Sequence, residues 1–273
     1  MIASQGIGLA ATAVALVSAA ETIPPADALG WAGLAGMSGV GGLACFYLAL
    51  SRGTMGLIAP LAAVIGAGLP ALLSIAGGEP LAALRLVGIV VALVAVVLIS
   101  LPSGRATDGE AAALRIDRGE LPLVVLSGLG FAGFYIFLDA SATAGGDTWW
   151  PLLVVRSAGL VLVFAGLAVM VGAMRRDLAT ILGLEKLRAT IATRGLLAVA
   201  PLFIIAGAGD LGGNAFFLLA NQQDALPVAV VLSSLYPIVT TLLAALFLRE
   251  RLRPTQWLGV GLAVFGVALM GVG

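Results

Sequence analysis

Residues 41–100 of this chain fall onto residues 212–271 without a gap, at a constant offset of 171 residues. The pairing places Gly41-Gly42 on Gly212-Gly213, Phe46 on Phe217, Glu79-Pro80-Leu81 on Glu250-Arg251-Leu252, Gly88 on Gly259 and Val96 on Val267. Chance matches among Ala, Leu, Gly and Val are common in an apolar chain. The weight therefore rests on the gapless alternation of loops and apolar runs, and on the paired Glu.

The composition says what kind of segment is repeated. With 61% hydrophobic and 10% charged residues and a mean hydropathy of +1.14, the chain lies far from the roughly 25% charge of soluble domains. It reads as an all-α integral membrane protein. A spanning helix needs about 20 mostly apolar residues, and nine stretches qualify: 2–20, 30–50, 56–76, 82–101, 121–142, 149–173, 195–220, 226–248 and 255–272. Runs this long exclude a β-barrel, whose strands alternate over about 10 residues. Duplicated helical halves of this size mark secondary transporters, in which two related bundles enclose a site near the bilayer midplane.

Charge sets the expected orientation. The even loops carry Arg52, then Arg105, Arg115 and Arg118, then Arg175, Arg176, Lys186, Arg188 and Arg194, then Arg249, Arg251 and Arg253. The odd loops carry almost none, Arg85 at the start of the fourth span being the exception. Cytoplasmic loops collect Lys and Arg, so the even loops are expected inside, with the N-terminus inside and the C-terminus outside. Residues 2–20 admit a second reading as a signal peptide ending at Ser18-Ala19-Ala20, but they lack a basic n-region. At an offset of 151, Gln5–Leu9 overlays Arg156–Leu160, which favours a true span. The change from 151 to 171 leaves about 20 extra residues in the second half, Ala173–Arg194, a basic stretch suited to lie along the cytoplasmic face.

The run Val231–Pro237 (Val-Leu-Ser-Ser-Leu-Tyr-Pro), followed by Leu248-Arg249-Glu250-Arg251-Leu252, Gln256, Gly259 and Gly266, resembles the end of an EamA-type repeat of the drug/metabolite transporter superfamily. Ala59-Pro60, Pro70, Gly78-Glu79-Pro80-Leu81 and Gly88 form a weaker copy. The resemblance implies a ten-helix carrier, with two inverted five-helix repeats around a central cavity. Here the expectation is four helices plus five. Residues 1–101 form the first repeat without its first helix, 102–120 a cytoplasmic linker, and 121–273 the second repeat.

Three ionisable residues fall inside spans: Asp139, Arg156 and Asp210. A charge in hydrocarbon costs at least ~2.5 kcal/mol on insertion scales, so such groups face a cavity or a partner. Arg156 lies about 10 Å and Asp210 about 16 Å below the outer surface, within reach of each other given a long side chain and modest tilt. Their pairing is read either as part of a polar cavity or as a structural ion pair. Asp139 is shallower, and is read as either solvated or cavity-lining. Further cavity candidates are Gln5, Asn214 one turn beyond Asp210, Tyr47, Tyr135, and Tyr236 beside Pro237, where a proline frees a backbone carbonyl. Trp149-Trp150 suits an aromatic belt. Glu79 and Glu250 sit at corners beside a helix start, where a carboxylate meets backbone N–H groups; this structural role is favoured over substrate contact. The Gly sets 33, 36, 39, 42 and 209, 212, 213 permit close helix packing, with hinges as the alternative.

Other functions fare worse. Gly36-Met37-Ser38-Gly39 looks like the Gly-x-Ser-Gly of rhomboid proteases, but a serine needs a base and the chain has no His. Zinc and phosphate-loop motifs are missing too, and the single Cys45 offers no thiolate cluster. Zero net charge argues against nucleic acid. No cofactor, metal or catalytic residue is expected. The expected partners are a small-molecule substrate, with an amino acid or drug-like compound as candidate cargo, the lipid bilayer, and a candidate coupling proton or ion. The expectation is a multi-pass secondary carrier of the cell (plasma or inner) membrane, with efflux and import both open as its direction, and with a non-transporting scaffold or truncated carrier as the alternative.

Overall fold

A computed structural model describes residues 2–52, 55–77, 82–100, 120–174, 196–221, 226–235, 238–239, 242, 245–246 and 253–272. Among them the regular structure is helical throughout, without a strand. In chain order the helices are α1 (Ile2–Ala19), α2 (Ala26–Arg52), α3 (Met55–Ala76), α4 (Ala83–Ser100), α5 (Leu121–Thr143), α6 (Trp149–Met174), α7 (Leu196–Asn221), α8 (Leu226–Ser233) and α9 (Pro254–Val272). Each falls on one of the nine expected stretches. Glu79, Glu250, Tyr236, Pro237, most of the linker and the basic stretch before Gly195 lie outside the described residues.

Local chemistry sets the boundaries. After α1 the chain turns at Ala20, a non-glycine residue with φ of 51°, and Pro24-Pro25 keeps the next residues out of the helix that has just ended. α2 then begins at Ala26, earlier than apolarity alone suggests, because Asp27 serves the helix start. Its carboxylate accepts from the Ala28 N–H at 3.0 Å and lies at the positive end of the helix. Pro254 opens α9, a position where its missing N–H costs nothing. Gln256 uses both ends of its amide: its Oε1 accepts from the Arg253 N–H at 3.0 Å and its Nε2 donates to the Ile99 carbonyl of α4 at 3.4 Å.

Among the described residues, five helical segments are long and apolar enough to cross a bilayer: Ala26–Ser51, Ile58–Ala76, Leu121–Thr143, Trp149–Val169 and Pro254–Val272. Large apolar side chains stand outward, such as Val17 at 82%, Phe216 at 73% and Val264 at 67% exposure. Such a surface suits hydrocarbon rather than water. The chain is an all-α, multi-pass membrane protein.

The chain divides into two compact units. One holds Met1–Val40 and Ala140–Leu219, the other Gly41–Asp139 and Ala220–Gly273, so each draws on both halves of the sequence. In the first, α1 packs on α6, and Gly36 of α2 lies directly against the Val155 backbone of α6, where any side chain would collide. In the second, α4 packs on α9 and α3 on both α4 and α8. Gly42 abuts Gly130 of α5, and Gly128 abuts Ile65 of α3.

The α4–α9 contact carries the repeat into three dimensions. A Cβ at Gly88 would meet the Gly266 carbonyl and Met270, while one at Gly259 would meet the Ala95 carbonyl and Ile99. Adding 171 turns Gly88, Ala95 and Ile99 into Gly259, Gly266 and Met270, so each contact is the image of the other. Early residues of one helix meet late residues of its copy. The two copies of this helix therefore run antiparallel, as inverted repeats require.

Candidate functional site

The site is built within the first unit from α1, α6 and α7. Arg156 is only 2% exposed. Its Nη1 donates to Asp210 Oδ2 of α7 at 2.8 Å and to Gln5 Oε1 of α1 at 3.0 Å. A buried guanidinium without acceptors is strongly destabilising, so the two acceptors are what allow it inside a span. Gly8 of α1 makes room for it: a Cβ there would come within 2.6 Å of Nη1 and 2.9 Å of Cζ. Just below, Thr12 is fully buried and returns its hydroxyl to the Gly8 carbonyl at 2.7 Å.

Neither charged partner is saturated. Arg156 Nε and Nη2 are buried and have no hydrogen-bond partner among the described residues. Asp210 is 51% exposed, and only its Oδ2 is engaged among the described residues. The cluster thus pairs a sealed cation, with one N–H edge unspent, and an open carboxylate.

Gln5, Arg156 and Asp210 were singled out from depth and from the repeat, and the fold brings all three together. Gln5 is the repeat counterpart of Arg156 at an offset of 151, so here two equivalent positions touch. Asn214 follows Asp210 by one turn on α7, partly buried. Tyr47, Tyr135 and Asp139 belong to the second unit. Tyr47 is 55% exposed beside Phe46, their ring centroids 6.0 Å apart; Tyr135 stands edge-on to Phe134 at 5.2 Å. Asp139 accepts from Asn221 Nδ2 at 2.7 Å, so it is held by an amide rather than by solvent alone.

Two groups escaped sequence reasoning. Asn221, which donates to Asp139, carries no signal in the sequence that singles it out. Glu21 lies in the connection after α1, and its carboxylate caps α6. Oε1 accepts from the N–H groups of Thr148 at 3.3 Å and Trp149 at 3.2 Å, and Oε2 from Trp149 at 2.9 Å and Trp150 at 3.2 Å. The Trp150 indole donates to the Glu21 carbonyl at 3.2 Å, so at least this tryptophan of the pair is a tie within the unit. Nearby, Ser141 Oγ donates to the Ala28 carbonyl at 2.8 Å. The available signal was an acid just after a helix end, with no local partner.

Among curated proteins none matches the chain. The profile of the EamA-like transporter family matches residues 121–272, covering α5 to α9. That is more than half of the sequence, and it spans the Arg156–Asp210 pair and the α9 copy of the repeated helix. The chain belongs to the EamA-like transporter family.

Proposed function

We propose that this protein is a secondary-active carrier that moves a small metabolite across the cell membrane by alternating access, with Arg156, Asp210 and Gln5 at the centre of its polar pathway. The observation that carries the reading is a nearly sealed Arg156 joined at 2.8 Å to a half-exposed Asp210, on the apolar helices α6 and α7. Intramembrane ionisable groups of this kind mark substrate and ion pathways. Asp210, half exposed, keeps its second oxygen outside the pair among the described residues, which leaves it open to a solute or ion. Asn214, one turn along the same helix, extends the polar path, and an amino acid or drug-like compound is the proposed cargo class.

Alternating access makes a labelling demand. In a Cys45→Ser background, Asn214→Cys should react with a membrane-impermeant maleimide in right-side-out and in inverted vesicles. Reaction from one face only, under every condition tried, would contradict alternating access and favour a static scaffold.

A further inference from the structure

The helix that carries Asp210 is weakest beside it. Gly209, Gly212 and Gly213 surround this residue within the 26-residue α7, and glycine weakens a helix interior more than any residue except proline. Packing accounts for glycines elsewhere: Gly36 lies against the backbone of α6 and Gly42 against that of α5. No such neighbour accounts for those of α7. A Cβ at Gly209, Gly212 or Gly213 would meet nothing within 4 Å among the described residues, and Gly209 and Gly213 are exposed. Gly41, the repeat image of Gly212, is open in the same way, and α2 passes from one compact unit into the other between Val40 and Gly41. The two parts of α7 are also held differently. Beyond the glycine pair Ala215, Phe217, Leu218 and Asn221 are buried, and Asn221 is tied to Asp139. Before the pair Ile205, Ala208 and Gly209 are exposed and Gly207 is buried, and Asp210 joins Arg156 at 2.8 Å. Arg156 stands on a firmer body, since α6 is bound to α1 through Gln5 and through the Glu21 cap.

We infer that Gly212-Gly213 is a hinge, that the part of α7 before it is an arm swinging on that hinge, and that the Arg156–Asp210 ion pair is the latch that holds the arm closed. The inference rests on the carrier reading and assigns the moving side of its site: Asp210 moves, while Arg156 stays with Gln5. Sharp helix bends occur at glycines, and hinges are a few residues that absorb a change in backbone angles. Leverage follows from position. Asp210 lies two residues before Gly212, so a bend of roughly 20° shifts it by only about 1 Å, enough to carry a 2.8 Å contact to the edge of hydrogen-bonding range. Ile205, about 10 Å along the arm, moves by about 3–4 Å. A small event at the ion pair thus becomes a larger opening at the far end. On the orientation that the charged loops imply, this end faces the cytoplasm. A solute or ion that draws Asp210 off Arg156 favours the open arm, which couples binding to access.

The test uses the full chain, with Cys45→Ser, in proteoliposomes. Nitroxide labels are placed at Val17→Cys on α1 and at Ile205→Cys on the arm, both exposed positions, and their separation is measured by pulsed electron paramagnetic resonance. A second pair, Val17→Cys with Leu219→Cys, reports the part of α7 beyond the hinge. Asp210→Asn, which releases the latch, should change the Val17–Ile205 separation by about 3 Å or more and leave the Val17–Leu219 separation as it was. Adding Gly212→Ala and Gly213→Ala to the same protein should restore the closed separation. In otherwise unchanged protein the two alanines, which have room, should raise the thermal midpoint by about 2–4 °C. The inference is overturned if Asp210→Asn leaves the arm where it was, if Leu219 moves as far as Ile205, or if the alanines lower the midpoint or leave the released arm open. Arm movement without flux of any solute would keep the hinge and discard the carrier. Solute flux undiminished by Gly212→Ala with Gly213→Ala would keep the carrier and discard the hinge.

Discussion

At the residue scale, the energetics of Arg156 are those of a guarded charge. A guanidinium at 2% exposure with its main counter-charge at 2.8 Å is held in the span by that partner, and removing either member strands the other. Asp210→Asn should therefore destabilise the protein by about 1–3 kcal/mol, less than a fully buried pair would lose because the carboxylate is half exposed. Arg156→Met combined with Asp210→Asn should be milder than the sum of the single changes, by at least about 0.5 kcal/mol. Thermal unfolding in detergent measures both; strict additivity would mean that the pair is not energetically coupled. Gly8→Ala tests the floor beneath the guanidinium. A Cβ 2.6 Å from Nη1 must push the side chain off Asp210 or Gln5, so this one added methyl should impair transport as much as changes to the charged residues do, while expression persists. Wild-type flux in Gly8→Ala would show that Arg156 has slack.

Elements in this fold are tied by devices with different visibility in the sequence. The spans were legible because a bilayer requires each crossing segment to satisfy its own backbone, which forces long apolar helices; α1 to α7 and α9 appear where apolarity and length place them. The Arg156–Asp210 pair was legible from depth, since few charges occur in spans at all, and Gln5 from its repeat alignment with Arg156. The Glu21 cap was not, because its partners lie 127 to 129 residues away and no periodicity records them. The same holds for Asn221 on Asp139, 82 residues apart. Glu21→Gln removes the charge from the α6 N-terminus and should lower stability by about 1–2 kcal/mol, read as a fall in the thermal midpoint with flux per folded protein little changed. The α4–α9 crossing depends on glycine at the point of closest approach. Gly266→Leu has no space against the Gly88 carbonyl and Ala92, and should cost about 1–3 kcal/mol or more by overpacking. Its image Ala95→Leu should behave alike, because the repeat makes the two positions equivalent.

For the whole molecule, duplication supplies the frame and divergence supplies the chemistry. The α4–α9 contacts obey the repeat, residue for residue, whereas the charged cluster does not: Asp210 aligns with Gly39, Asn214 with Leu43, and Arg156 with Gln5. Two inverted copies can give a carrier two related conformations; on the proposed reading, a charge pair held by one copy adds an asymmetric place to hold a solute. The central claim is that this pair belongs to the transport path. Its most direct test is mass spectrometry of the small metabolites that enter proteoliposomes carrying wild-type, Arg156→Ala or Asp210→Asn protein, with insertion verified for each. The account predicts that a solute accumulates with the wild-type protein, and at least about tenfold more slowly with either variant. Equal accumulation in all three would contradict it.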